Sequence, residues 1–191
     1  MIAFRRTRTF AVTVATLVLA AGTASAQKER VNPDAAAIAD FKKRVAEYVA
    51  LSKKLEGTLP ALPDKATPQQ MDTHERALAE LVQKERAGAK QHDIITVPMQ
   101  RIVRKVLRPV FKGPGGAQVK KEILEEYTEP VTVKVNGRYP DTVPLSTVPP
   151  QVLKGLPDLP EELQYRFVGD RLILLDPRAH LIVDYMEHIF P

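Results

Sequence analysis

The chain contains no cysteine and no tryptophan, and histidine occurs only four times in 191 residues. The absence of cysteine excludes a disulfide framework, a thiol nucleophile and a lipid anchor attached through a cysteine, so stability rests on packing alone. Serine is nearly absent too: downstream of residue 26 only Ser52 and Ser146 occur. Neither stands in a Gly-x-Ser-x-Gly context or has a histidine close by in sequence, which leaves little for nucleophilic catalysis. Long hydrophobic runs are also missing. The apolar stretch Phe10–Ala21 spans 12 residues, well short of the roughly 20 that cross a bilayer. His74-Glu75 opens like a zincin motif, but Leu78 stands where the second histidine belongs. Gly115-Gly116 lacks the flanking strand and the Lys-Ser/Thr pair of a phosphate-binding loop and reads as a turn.

What is present begins with MIAFRRTRTFAVTVATLVLAAGTASA, a basic start, an apolar run and the small-residue ending Ala24-Ser25-Ala26. This pattern predicts a secretory signal peptide over residues 1–26, cleaved near Ala26, and a soluble mature chain that is periplasmic or secreted. Three of the five net positive charges belong to Arg5, Arg6 and Arg8, leaving +2 on the mature chain. A balance so close to neutral does not point to nucleic acid. The placement of charge says more. Between Ile94 and Lys121 lie seven lysines and arginines and no acid, so the rest of the mature chain is acidic around one basic island.

Helical periodicity dominates the first half. Asn32-Pro33-Asp34 is an N-cap with proline at the first helical position, and Ile38, Phe41, Val45, Tyr48, Leu55 and Leu59 recur at three- and four-residue steps, which predicts a helix over about 33–57. After the proline-rich break TLPALPDKATP, Thr67-Pro68-Gln69-Gln70 forms a capping box ahead of Met71, His74, Leu78 and Leu81. The two helices are expected to form an antiparallel hairpin within 27–93, with His74 half-buried on the apolar stripe. Within 94–130, VPMQRIVRKVLRPVFKG places Met99, Ile102, Val103, Val106, Leu107, Val110 and Phe111 on one stripe. Arg101, Arg104, Lys105, Arg108 and Lys112 occupy the opposite one. Such a basic face suits an anionic surface or an acidic partner, and it suits equally a packed helix whose outer side is solvated. Pro109 should kink or end this helix, and AQVKKEILEEY predicts a short fourth helix ending near Tyr127.

After Pro130 the period changes to two. Val131, Val133 and Val135 alternate with polar residues as a strand, and Asn136-Gly137 marks a tight turn. Prolines recur from Pro140 to Pro160, predicting an extended connector packed on the core with a helical turn or two at PPQVLKGLP. QYRFVG, RLILLD and HLIVDYM then read as a three-stranded antiparallel meander, with Tyr165, Phe167, Leu172, Leu174, Leu181 and Val183 sharing one side.

The motif residues Tyr165, Arg166, Val168, Gly169, Leu174, Asp176, Pro177, Ile182 and Val183 resemble the C-terminal β-module of uncharacterised secreted bacterial proteins. More loosely, the stretch is similar to small periplasmic modules of nickel and cobalt homeostasis accessory proteins. The resemblance covers about 40 residues of turn and core and implies a fold.

HLIVDYMEH spaces His180, Asp184 and His188 four residues apart. In a helix each step would be about 6 Å and the three could share an ion, whereas in a strand each step is about 13 Å and one ion cannot hold them. The meander places His180 at a turn, Asp184 facing away from Leu181 and Val183, and His188 beyond the strand end.

Taken together, the residues predict an α+β protein: a helical hairpin, a basic amphipathic helix, a proline-rich connector and a β-meander over 131–191 packed on the helices. The expected function is a non-enzymatic envelope protein that binds a protein partner or an anionic surface through Arg101, Arg104, Lys105, Arg108 and Lys112. No catalytic residue, cofactor, nucleic-acid partner or transmembrane segment in the mature chain is expected. One alternative is a periplasmic metal-binding accessory protein using His180, Asp184 and His188, with His92 as a further ligand candidate. Another is a hydrolase built on a carboxylate pair converging in a concave pocket.

Overall fold

The computed structural model describes residues 32–126 and 130–191, which belong to one compact unit. The expected signal peptide, residues 1–26, and Tyr127 lie outside the described residues.

The helical layer forms where the caps and periodicity place it. Helix α1, Pro33–Glu56, begins at Asn32, whose side chain accepts the Asp34 N–H at 3.0 Å. Helix α2, Pro68–Glu85, opens on the capping box: the Thr67 hydroxyl accepts the Gln70 N–H, and Gln70 Oε1 accepts the Thr67 N–H. The two run antiparallel. Arg86, one residue past α2, lies over the ring of Tyr48 in mid-α1, while His74 near the start of α2 lies 3.9 Å from Glu56 at the end of α1.

Helix α3, Val97–Lys112, continues through Pro109 and ends three residues later, burying Met99, Ile102, Val103, Leu107 and Phe111. Its turn into α4, Gly116–Glu125, is tight, and a Cβ on Gly116 would lie 2.2 Å from the Phe111 carbonyl oxygen. Only glycine fits there. The connector contributes one short helix, α5, Pro150–Leu153.

Four antiparallel strands follow the order β1-β4-β3-β2: β1 Gly137–Arg138, β2 Gln164–Val168, β3 Arg171–Asp176 and β4 Leu181–Met186. The fold is α+β, and β2, β3 and β4 are the predicted meander. A fourth strand joins it. Val131–Val135, expected as a strand, runs as irregular chain; pairing occurs on Gly137–Arg138, within the segment the sequence assigned to a turn and its exit. The reason is the second face of the sheet. Val131, Tyr139 and Val143 close over Val168, Ile173, Leu175 and Ile182, so this segment covers the sheet instead of widening it. The opposite face carries Tyr165, Phe167, Leu172, Leu174, Leu181 and Val183 into the core shared with α1, α2 and α3, as their alternation predicts.

One irregularity determines how the two layers meet. Leu175 pairs with Ile182 and Leu174 pairs with Asp184, leaving Val183 as the extra residue of a β-bulge. The alternation slips by one, so both Val183 and Asp184 face the helices. This corrects the expectation that Asp184 points away from the Leu181/Val183 side. Asp184 is fully buried. Its Oδ1 accepts the N–H groups of His92 at 3.0 Å and Tyr185 at 2.8 Å. Its Oδ2 accepts those of Ile94 at 2.8 Å and Ile95 at 2.7 Å. His92 takes the left-handed conformation, φ 76°, in the turn that presents these amides. The bulged Val183 carbonyl accepts both terminal nitrogens of Arg86 at 3.3 Å.

Replacing this carboxylate should therefore expose the dependence. Asp184→Ala strands two buried N–H groups, of Ile94 and Ile95, at roughly 1 to 3 kcal/mol each, and two half-buried ones, of His92 and Tyr185, so urea denaturation is expected to show a loss of about 3 kcal/mol or more. Asp184→Asn, which keeps one acceptor oxygen, should lose less. A loss under about 1 kcal/mol for the alanine variant would mean the carboxylate does not anchor the layers.

Candidate functional site

Because its apolar stripe is spent in the core, α3 has only one side to offer. Arg101, Arg104, Lys105, Arg108 and Lys112 are all exposed on that side, as the periodicity predicts. They are not equivalent. At about 100° per residue, Arg101, Arg108 and Lys112 fall within about 40° of one another and form a straight crest about 16 Å long. Lys105 leans to one flank, where its Nζ lies 2.7 Å from Asp34 Oδ2 in the first turn of α1. Arg104 leans to the other, where it donates to the Glu187 carbonyl at 3.0 Å and to Gln100 Oε1 at 3.3 Å. The three crest cations have no ion-pair or hydrogen-bond partner among the described residues.

The structure does not bring His180, Asp184 and His188 together. They lie along and beyond β4, whose six residues hold the two histidines roughly 20 Å apart or more at about 3.3 Å per residue. Asp184 is committed to backbone amides. His188 is exposed beyond the strand and meets Asp170 at 2.9 Å. Among the described residues no group of three or more potential ligands converges, and His92 contributes its backbone rather than its ring to Asp184.

His180 instead joins a charged cluster between α2 and the sheet edge. Its Nδ1 lies 3.0 Å from Asp141 and 3.9 Å from Glu75, and its ring stacks on Tyr139. Arg138 reaches Asp141 at 2.9 Å, Glu75 at 3.4 Å and Asp72 at 3.6 Å, while Arg76 bridges Asp72 and Asp141. Two guanidinium groups among three carboxylates already supply the charge that a bound cation would. Sequence reasoning did not assemble this cluster, since its members come from α2, β1 and two turns and share no spacing.

Both serines have structural partners. Ser146 donates to the Phe167 carbonyl and accepts its N–H, tying the connector to β2. Ser52, fully buried, donates to Asp176 at 3.0 Å and accepts from Arg178 at 2.9 Å. Tyr48 donates to the same Asp176 oxygen at 2.9 Å. Burial, together with that neighbouring carboxylate, pushes the Tyr48 phenol well above its ordinary range.

Two apolar grooves border the helical hairpin. One, of about 440 Å³, lies under Leu59–Pro63 and includes Thr73 and His74. The other, of about 630 Å³, lies between α1 and residues 158–162 and carries two acids, Asp158 and Glu162. Lys53 bonds Glu162 and holds it below the usual carboxylate range. An acid held ionised in this way does not itself act as a proton donor.

No protein-family model, curated protein or solved structure matches the chain.

The Asp141 cluster makes a pH prediction. Desolvation would raise the Asp141 carboxyl, but bonding and proximity to Arg138 outweigh it and hold the group below its ordinary 3.8; Asp72, beside Arg76, is lowered as well. Groups whose folded pKa is depressed contribute stability that is present above the unfolded value and lost as pH falls through the folded one. Melting temperature followed downward from about pH 5 should therefore fall more steeply in the wild type than in Arg138→Gln. Parallel acid limbs would remove the cluster from the account.

Proposed function

We propose that the chain is an exported, non-enzymatic protein of the cell envelope that docks on an anionic partner surface through the basic face of α3. The observation that carries this reading is the division of α3: its apolar stripe is consumed by the core, and its outer face holds five exposed cations, three of them without partners among the described residues. Solvated cations need no clustering. Here they are gathered within an acid-free stretch of an otherwise acidic mature chain, which creates a local positive field able to steer an anionic surface into contact.

Export is supported by the basic, apolar and small-residue order of residues 1–26. None of the described helices is long and apolar enough to cross a membrane. A non-enzymatic role is supported by the serines, each spent on a structural bond, and by Glu162, which Lys53 holds in an ion pair.

Because the contact is electrostatic and exposed, it should be salt-sensitive. Wild-type protein is expected to co-sediment with envelope fractions at low ionic strength and to be released near 0.5 M salt, where the screening length falls to about 4 Å. Arg101→Glu combined with Arg108→Glu should weaken binding at least about a hundredfold, since two reversals change four charges and each near an anionic surface contributes about 1 kcal/mol. Unchanged sedimentation of that variant would reject the docking face.

A further inference from the structure

We infer that the surface met by α3 is the phosphate-bearing face of an anionic lipid membrane, touched by Arg101, Arg108 and Lys112 alone. Arg104 is turned aside by its bond to the Glu187 backbone carbonyl, and Lys105 is neutralised by Asp34. The inference rests on the docking reading above and deepens it by naming the partner and the residues that meet it.

Shape is the first argument. The three free cations stand on the convex crest of a helix, and none of them lines either apolar groove. A straight, convex row of charge fits a plane of phosphates without any pocket. The second argument is the poverty of apolar anchors. Protein interfaces are centred on buried aromatic or aliphatic residues, and the only exposed large hydrophobic residue of α3 is Val97 at its N-terminus. The apolar stripe, buried against the other helices and the sheet, is not free to enter a bilayer, so the helix rests on headgroups without insertion. Third, two of the three crest groups are guanidinium ions, whose planar donor forks match phosphate oxygens.

Asp34 has a definite part in this arrangement. By holding Lys105 at 2.7 Å it makes a net-neutral pair at the flank of the crest. It thereby sets the number of uncompensated cations that the membrane meets and keeps adsorption weak and reversible.

The pair supplies the test. The full mature chain is mixed with vesicles of equal parts phosphatidylglycerol and phosphatidylcholine, and with vesicles of phosphatidylcholine alone, and bound protein is measured by sedimentation at low salt. Wild-type protein should bind the anionic vesicles and not the neutral ones. Arg101→Gln with Arg108→Gln should weaken binding about 25-fold, at about fivefold per charge. Asp34→Asn with Lys105→Gln, which removes a neutral pair, should stay within about twofold of wild type, whereas Asp34→Asn alone should tighten binding about fivefold. All four substitutions replace exposed or half-exposed residues, and unchanged circular dichroism melts confirm that each variant folds.

The inference is overturned if removal of the Asp34–Lys105 pair weakens binding as much as removal of the crest charges. It is also overturned if the protein ignores anionic vesicles while still sedimenting with envelope fractions through α3. In that second case the partner is an acidic protein or polymer and the docking reading survives. Absence of binding to both vesicles and envelope fractions ends both readings.

Discussion

A carboxylate turned into a protein core must find partners for both oxygens, because an unpaired buried charge costs more than a small domain can spare. Asp184 imposes that constraint here. The bulge at Val183 rotates it toward the helices, and the turn before α3 folds so that the amides of His92, Ile94 and Ile95 converge on it. That turn fixes where α3 starts. Asp176, on the same sheet face at the end of β3, binds Tyr48 and Ser52 of α1 in the same manner. The sheet is thus joined to its helical layer by two buried acids, while Leu172, Leu174, Leu181 and Val183 fill the space between them.

The position of α3 follows from this anchoring and from the demand of its own apolar stripe. Once Met99, Val103 and Leu107 enter the core, the basic residues have nowhere to go but outward. Tertiary contacts then divide them. The first turn of α1 takes Lys105 and the chain after β4 takes Arg104, so a uniform basic stripe becomes a free crest with two tied flanks. Of the five charges on this face, one, Lys105, is thereby compensated by a carboxylate.

Local chemistry was well expressed in the chain. Asn32 and the Thr67/Gln70 box mark helix starts to within a residue, the stripe of α3 is buried as its spacing demands, and the three C-terminal runs pair as a meander. Where reading the sequence failed, a long-range partner was responsible. Val131–Val135 carries a strand pattern, yet Val131 and Val133 are needed to cover Ile173, Leu175 and Ile182, and that need outweighs pairing. The uninterrupted run Leu172–Leu175 was the available sign that the sheet is buried on both faces, since a strand with one wet face alternates. Asp184 was misplaced because strict alternation cannot anticipate a bulge.

The sequence by itself determined the helices, the meander, the α+β class and the confinement of cations to one face of one helix, because each follows from a repeat or a cap within a few residues. It also determined which chemistries lack their reagents, since cysteine is absent and serine scarce. Only the tertiary structure decided that His180, Asp184 and His188 serve three separate neighbourhoods, that Asp72, Glu75, Arg76, Arg138, Asp141 and His180 form one cluster, and that three of five basic residues remain free. Those outcomes depend on register and on contacts between elements distant along the chain, and a single slipped residue in β4 was enough to change which groups meet.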